Sequence, residues 1–272
     1  MFRTLLLVCL ISPLLGCATT STGKAIDHIE SDQIIEAIPH LEKGIKEGDR
    51  GSSLILALIY SKDTHVPRDI DKAQKYMDLF SDMEPTIYDQ PLNYYVPYIQ
   101  GVIWLEDDIA DNDLDANRLL KQQKYKTFPP VLLRLAENFS YGLGVKKDYR
   151  LAHALYLKAI ENSENVMSEL QYIWKLAVHY DDEFRKNLDL MKFMPSEDAV
   201  EENYDFIYHD TKAAVLARMG LFSKAIESQD KAITQISRRL NVYPYYQTWK
   251  DAYLQRKQTY QKNEAWVERS SS

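Results

Sequence analysis

Cysteine is nearly absent from this chain: two residues in 272, Cys9 and Cys17, both close to the start. Beyond Cys17 no thiol is left for a disulfide, a zinc ligand or a nucleophile, so stability must come from packing. Positive charge is also in short supply. The formal net charge is −7, one unit more negative once Arg3 leaves with the leader described below. Such a balance excludes an electrostatic grip on nucleic acid or on anionic lipid. The apolar run Leu5–Leu15 is too short to cross about 30 Å of hydrocarbon. The G-x-S-x-G turn of serine hydrolases is missing. Gly142-Leu-Gly144 has no third glycine and follows a helical stretch, so it does not make a nucleotide loop.

What is present is patterned. With 27% charged and 45% hydrophobic residues the chain has the balance of a globular protein. Its organising stretch is Val131–Asn162. Leu132, Leu135, Ala136 and Phe139 recur at i, i+3, i+4 and i+7, one stripe of a helix. Gly142 and Gly144 then end it, and Asp148 is placed to cap a second helix. That helix carries Ala152, Leu155, Tyr156, Ala159 and Ile160 on one face. Moved back by 79 positions, the segment overlays Ser52–Ser81 without a gap. Seven positions between Leu54 and Ala73 are then identical, among them Ala57/Ala136, Asp69/Asp148 and Ala73/Ala152. A shift of that size leaves room for a further, degenerate copy between the two.

The pattern A-x-x-F-x-x-G-x-G-V-x-x-D-x-x-x-A from Ala136 to Ala152 resembles the Sel-one-like repeat, a relative of the tetratricopeptide repeat. At Ala57–Ala73 the glycines are replaced by Asp63 and His65, so the turn there is expected to differ. The resemblance implies an all-α solenoid of stacked antiparallel helical hairpins whose surface binds proteins. Toward the C-terminus Ala213, Gly220, Ala225 and Ala232, with Phe222, sit where a tetratricopeptide repeat places its small and aromatic residues.

The first sixteen residues read differently. Arg3 makes a short positive region, Leu5–Leu15 an apolar one, and Leu14-Leu15-Gly16-Cys17 resembles the bacterial lipobox. The resemblance implies cleavage before Cys17 and lipid on that cysteine, including palmitate, with Cys17–Lys24 as a tether. Ala18 is not the aspartate associated with inner-membrane retention in enteric bacteria. An outer-membrane lipoprotein facing the periplasm is therefore expected.

Along the rest of the chain, a helix is expected over Ser31–Gly48 after a short one at Ala25–Glu30. Leu54–Tyr60 reads as strand or buried helix until the overlay decides for helix. Asp69–Phe80, Asn93–Leu105, Leu114–Lys124, Ser168–Phe184, Tyr204–Met219, Ser223–Asn241 and Pro244–Asn263 follow. Five or six hairpins over 25–263 are expected, with a possible bend near 194–202, no division into two domains, and a fraying tail at 264–272.

Candidate sites are few. Asp111, Asp113 and Asp115 alternate like a calcium loop, but Ala116 and Gln122 stand where its glycine and glutamate belong, so a solvated acidic loop is expected. His179 and Glu183 have zinc-compatible spacing on one helix but no third ligand, and an exposed pair is expected. A murein-cleaving transglycosylase would need an acid glutamate in a cleft. Glu30-Ser31 and Glu227-Ser228 lack the surrounding residues of that class. No enzyme, metal or cofactor is expected. With 19 tyrosines and 4 tryptophans, two aromatic strips are candidates for partner binding: Tyr94, Tyr95, Tyr98 and Trp104, and Tyr243, Tyr245, Tyr246 and Trp249. They would suit a protein segment or, alternatively, a glycan stacked on the rings. The expected role is an adaptor for protein partners in an envelope assembly, export or murein-related machine.

Overall fold

The computed structural model describes residues 20–268, apart from 32, 62–65, 86–90, 108–109, 123–126, 164, 187, 243 and 245. The leader, Cys17, the turn at Asp63 and His65, and Tyr243 and Tyr245 lie outside the described residues. The fold is all-α, of the α-solenoid class the repeats imply. The helices are α1 (Thr20–Glu30), α2 (Ile34–Lys46), α3 (Arg50–Tyr60), α4 (Ile70–Asp82), α5 (Val96–Leu105), α6 (Ala110–Leu120), α7 (Pro129–Tyr141) and α8 (Tyr149–Glu161). They are followed by α9 (Val166–Val178), the single turn α10 (Asp182–Arg185), α11 (Asp205–Arg218), α12 (Phe222–Arg239) and α13 (Tyr246–Gln261).

The chain divides into two compact units, one up to Leu155 and the other from Tyr156. A single undivided array was expected, with a bend near 194–202. The division instead falls inside α8, upstream of the irregular stretch that suggested the bend.

The first unit is built of consecutive hairpins, α1 with α2, α3 with α4 and α5 with α6, followed by α7 and the first half of α8, which a backbone bond joins across their turn. In α3 every residue from Leu54 to Ile59 is buried, which removes any alternation of faces and explains why the run reads equally as strand. Even Arg50 is inside, its guanidinium 3.8 Å from the Phe80 ring centroid and its Nε donating to the Phe80 carbonyl at 2.9 Å. Ala57, Ala73, Ala136 and Ala152, the small residues of the repeat pattern, are fully buried.

Both repeat copies close their turns alike. The Asp69 N–H donates to the Tyr60 carbonyl at 2.9 Å, and the Asp148 N–H to the Phe139 carbonyl at 3.0 Å. Each aspartate then caps the helix that follows, accepting from Lys72 N–H at 3.0 Å and from Leu151 N–H at 2.9 Å. Gly142 ends α7 in the left-handed conformation at φ 82, which costs a residue with a Cβ about 1–2 kcal/mol. Gly144 (φ 61) is held more tightly: a Cβ there would stand 2.5 Å from Asp113 Cβ and 2.9 Å from Asn117 Nδ2. Asn117 ties the hairpins together, donating to the Leu143 carbonyl at 3.2 Å and accepting from Asn138 Nδ2 at 3.0 Å.

Several boundaries move. The expected tether through Lys24 is helical from Thr20, giving α2 a full partner helix. The acidic stretch expected as a loop is helical from Ala110, a place where carboxylates meet the positive end of the helix dipole. The helix expected over Ser168–Phe184 ends at Val178; Asn165 caps its start, accepting from Ser168 N–H at 2.9 Å.

In the second unit α11 packs against α9 on one side and α12 on the other, and α12 packs against α13. From Phe206 to Ala217 only Lys212 escapes burial. Ala213, Leu216, Ala217, Ala225 and Tyr260 form a core cluster, with Met191, Phe222, Ile226, Ala265 and Trp266 against it. Residues 264–268, expected as part of a fraying tail, lie against this core. The Glu268 N–H donates to the Val178 carbonyl at 2.7 Å, and Glu268 pairs with His179 as an isolated parallel bridge.

Candidate functional site

Among the described residues neither aromatic strip forms an open platform. On α5 the residues at helical spacing turn inward: Tyr98 is buried, and burial pushes its phenol well above the usual range. Tyr95, also buried, meets Phe128 edge-on at 5.3 Å between centroids. The Tyr94 side chain lies outside the described residues. On α13 Trp249 is buried against Phe206 at 5.9 Å, and half-buried Tyr246 meets the same ring at 5.3 Å. These rings are core, so Tyr95, Tyr98 and Trp249 are corrected from partner-binding to packing residues. An aromatic spaced three or four residues from its neighbours follows the apolar stripe inward.

Trp104 is the exception. It lies at the end of α5, half-buried, on a cleft of about 390 Å³ formed by the second and third hairpins. Arg68, Ile70, Asp71 and Gln74 supply one wall; Ile103, Trp104, Glu106, Asp107 and Asn112 supply the other. Arg68 bonds Glu106 at 2.7 Å and Arg134 reaches the other oxygen of the same carboxylate at 3.3 Å. Gln100 donates to Gln74 at 3.0 Å, and Asn112 to Asp107 at 2.6 Å. The walls thus come from two neighbouring repeats and are fixed by their mutual bonds. An indole face beside amides and carboxylates can grip a peptide's side chains and backbone; it contains no nucleophile paired with a base.

A surface aromatic pair escaped the sequence reading. Tyr60 and Tyr76 stack at 5.9 Å on the second hairpin, with Lys72 4.9 Å above Tyr60. Tyr76 donates to Glu42 at 3.2 Å; partial burial and that carboxylate push its phenol up to about 12. The only local signal was a tyrosine closing the apolar run of α3.

His179 is buried at the end of α9, its ring 4.1 Å from Phe184, and its Nδ1 accepts from the Asp181 N–H at 3.1 Å. It shares no helix with Glu183, which pairs with Lys186 at 2.7 Å, so the expected exposed helical pair does not form. Glu30 is exposed; its carboxyl is raised by partial burial and then by Asp27. Glu227 is largely exposed, 4.0 Å from Lys231. Among the described residues no group of three or more His, Cys, Asp and Glu is arranged to hold a metal, and no helix is long and apolar enough to cross a membrane.

The second unit holds a polar centre that no motif announced. Asp210, fully buried, accepts from Arg256 at 2.9 and 3.1 Å and from Gln229 at 2.8 Å. Burial raises the Asp210 carboxyl, opposed by the pull of Arg256. The Arg256 guanidinium lies 4.5 Å from the Trp174 ring and 5.3 Å from Tyr253. The available signal was a carboxylate at the 206, 210, 213, 217 stripe of α11, where apolar residues belong.

Compared with known proteins, residues 54–84 and 129–164 match the Sel1 repeat. These are the two copies that share the capped turn. A crystal structure of a Sel1 repeat protein from Oxalobacter formigenes is similar at 14% identity, over 86% of this chain and 80% of that one, with a TM-score of 0.28. No curated protein matched in the same comparison.

Proposed function

We propose that this Sel1-repeat chain is a non-catalytic scaffold that holds protein partners at the periplasmic face of the outer membrane. Repeats of this kind generally mediate protein–protein contacts and usually serve as scaffolds. The observation that carries the reading is the cleft at Trp104, whose walls come from adjacent hairpins and whose polar groups are already fixed in place. Preorganisation of that sort lowers the ordering cost of binding a segment. Lipid on Cys17 would confine the scaffold to a surface and raise the effective concentration of whatever it holds. Its partners would then belong to an envelope assembly, export or murein-related machine.

Crosslinking of the lipidated chain in its native envelope, followed by identification of the adducts, tests the scaffold. Adducts should fall sharply for Trp104→Ala, with the protein's amount and thermal melt unchanged. Equal capture by both forms would remove the cleft from the reading, and absence of any specific protein adduct would remove the scaffold. Labelling with radioactive palmitate, abolished by Cys17→Ser, checks the anchor; labelling that persists in Cys17→Ser would overturn it.

A further inference from the structure

The way residues 264–268 are held has the character of a ligand in a site. The last four carbonyls of any α-helix lack intrahelical donors. At the end of α9 the Val178 carbonyl takes the Glu268 N–H at 2.7 Å, one bond of a parallel bridge that extends no further. Two residues earlier Trp266 packs on the cluster around Ala213 and Tyr260. Its ring lies 5.7 Å from the Arg256 guanidinium, which Asp210 holds in place from beneath. Cation–π attraction of this kind selects an aromatic ring. The Trp266 Nε1 donates to the Glu268 carboxylate at 3.3 Å, which puts an acidic group on the side of Arg256.

Between them Val267 is exposed, so the segment is held by Ala265 and Trp266 on the cluster and by the Glu268 backbone at the end of α9. The segment is joined to α13 only through a turn at Asn263, a non-glycine residue at φ 59. One backbone bond, one half-buried indole and the half-buried Ala265 are few contacts beside those of the helices, so the segment can open without global unfolding.

We infer that the seat formed by the end of α9, Arg256 and the Ala213–Tyr260 cluster is a peptide-binding groove, occupied in the free chain by residues 265–268. Its ligand is an extended segment of a protein partner with an aromatic residue two positions before an acidic one. The C-terminal segment occupies the groove in cis and competes with that partner. The proposal deepens the scaffold reading and rests on it only in taking the ligand to be a protein.

The test titrates a fluorescein-labelled peptide of residues 261–268 into full-length wild-type protein and full-length Trp266→Ala, followed by anisotropy. Saturable binding to Trp266→Ala should be at least tenfold tighter than to wild type, because the cis segment competes at high effective concentration. A peptide itself carrying Trp266→Ala should bind neither protein. No saturable binding to the variant, or equal binding of both peptides, overturns the groove. Hydrogen exchange on the wild type covers the case in which the variant does not fold. Amides at 265–268 should exchange while those of α13 stay protected; exchange only on global unfolding makes the segment a fixed part of the fold and overturns the proposal. A dimer that exchanges the segment between copies would assign the groove to a second copy and overturn a separate partner. The titration uses no envelope component, so its failure and that of the crosslinking experiment are independent.

Discussion

The backbone N–H of Asp148 donates to the carbonyl of Phe139 at 3.0 Å, drawing the start of α8 back onto the end of α7. The same bond joins Asp69 to Tyr60 in the earlier copy at 2.9 Å. Each aspartate uses its N–H to close a turn and its carboxylate to open a helix, and that double use accounts for its recurrence at equivalent positions.

Asp148→Ala should therefore destabilise the first unit by about 1 kcal/mol through loss of the cap alone, while Asp148→Asn should cost much less because the acceptor survives. Asp69→Ala should act in the same direction, and the double variant should be close to additive because the caps lie in different hairpins. Urea unfolding midpoints would show this. Equal losses for the alanine and asparagine variants would mean that the cap is not the cause.

Two left-handed glycines should respond unequally to alanine. Gly220 (φ 75) has open space where a Cβ would go, whereas at Gly144 the new Cβ would stand 2.5 Å from Asp113 Cβ. Gly220→Ala should cost about 1–2 kcal/mol for the conformation alone. Gly144→Ala should cost clearly more, since the third hairpin has to shift as well. Matching melting temperatures for the two variants would contradict the close approach.

Removing one member of the buried pair should harm the second unit more than removing both. Asp210→Asn leaves the Arg256 guanidinium buried without its counter-charge, a loss of about 3–5 kcal/mol. The double replacement Asp210→Leu with Arg256→Met should recover much of it, because apolar groups of similar volume often substitute for a buried pair at little cost. Denaturant unfolding of the three proteins decides; strictly additive losses would count against the pair.

Acidification should weaken the second unit through His209. Its ring is buried, with Nε2 3.5 Å from Glu197, and Asp205, Lys212 and Lys231 are its other charged neighbours. Burial leads these effects and lowers its pKa below 6.5. The folded state thus favours the neutral ring, and its stabilising contribution is present above 6.5 and lost as pH falls through the lowered value. Melting temperatures between pH 7.5 and 5 should decline less steeply for His209→Gln than for wild type. An identical slope would assign the acid loss to other groups.

The hairpins were legible in the residues because their signals are local. Apolar spacing, an aspartate before a helix and a glycine after one act within a turn or two of chain. The 79-residue overlay resolved Leu54–Tyr60 as helix for the same reason: Asp69 and Asp148 both act on their own turns. The aromatic strips were misread where local spacing stops being informative. Tyr98 and Trp104 are six positions apart on one helix, yet one is buried and the other lines a cleft. Which side faces inward depends on hairpins elsewhere in the chain.

The sequence by itself determined the all-α repeat, its capped turns and the absence of a usable thiol beyond Cys17, since each is written in neighbouring residues. Tertiary structure decided the division at Leu155, the joining of Asp210 to Arg256 and the seating of Trp266 and Glu268 beside α9. Those depend on groups brought together from tens of residues apart, where packing and burial choose the partners and no spacing along the chain records them.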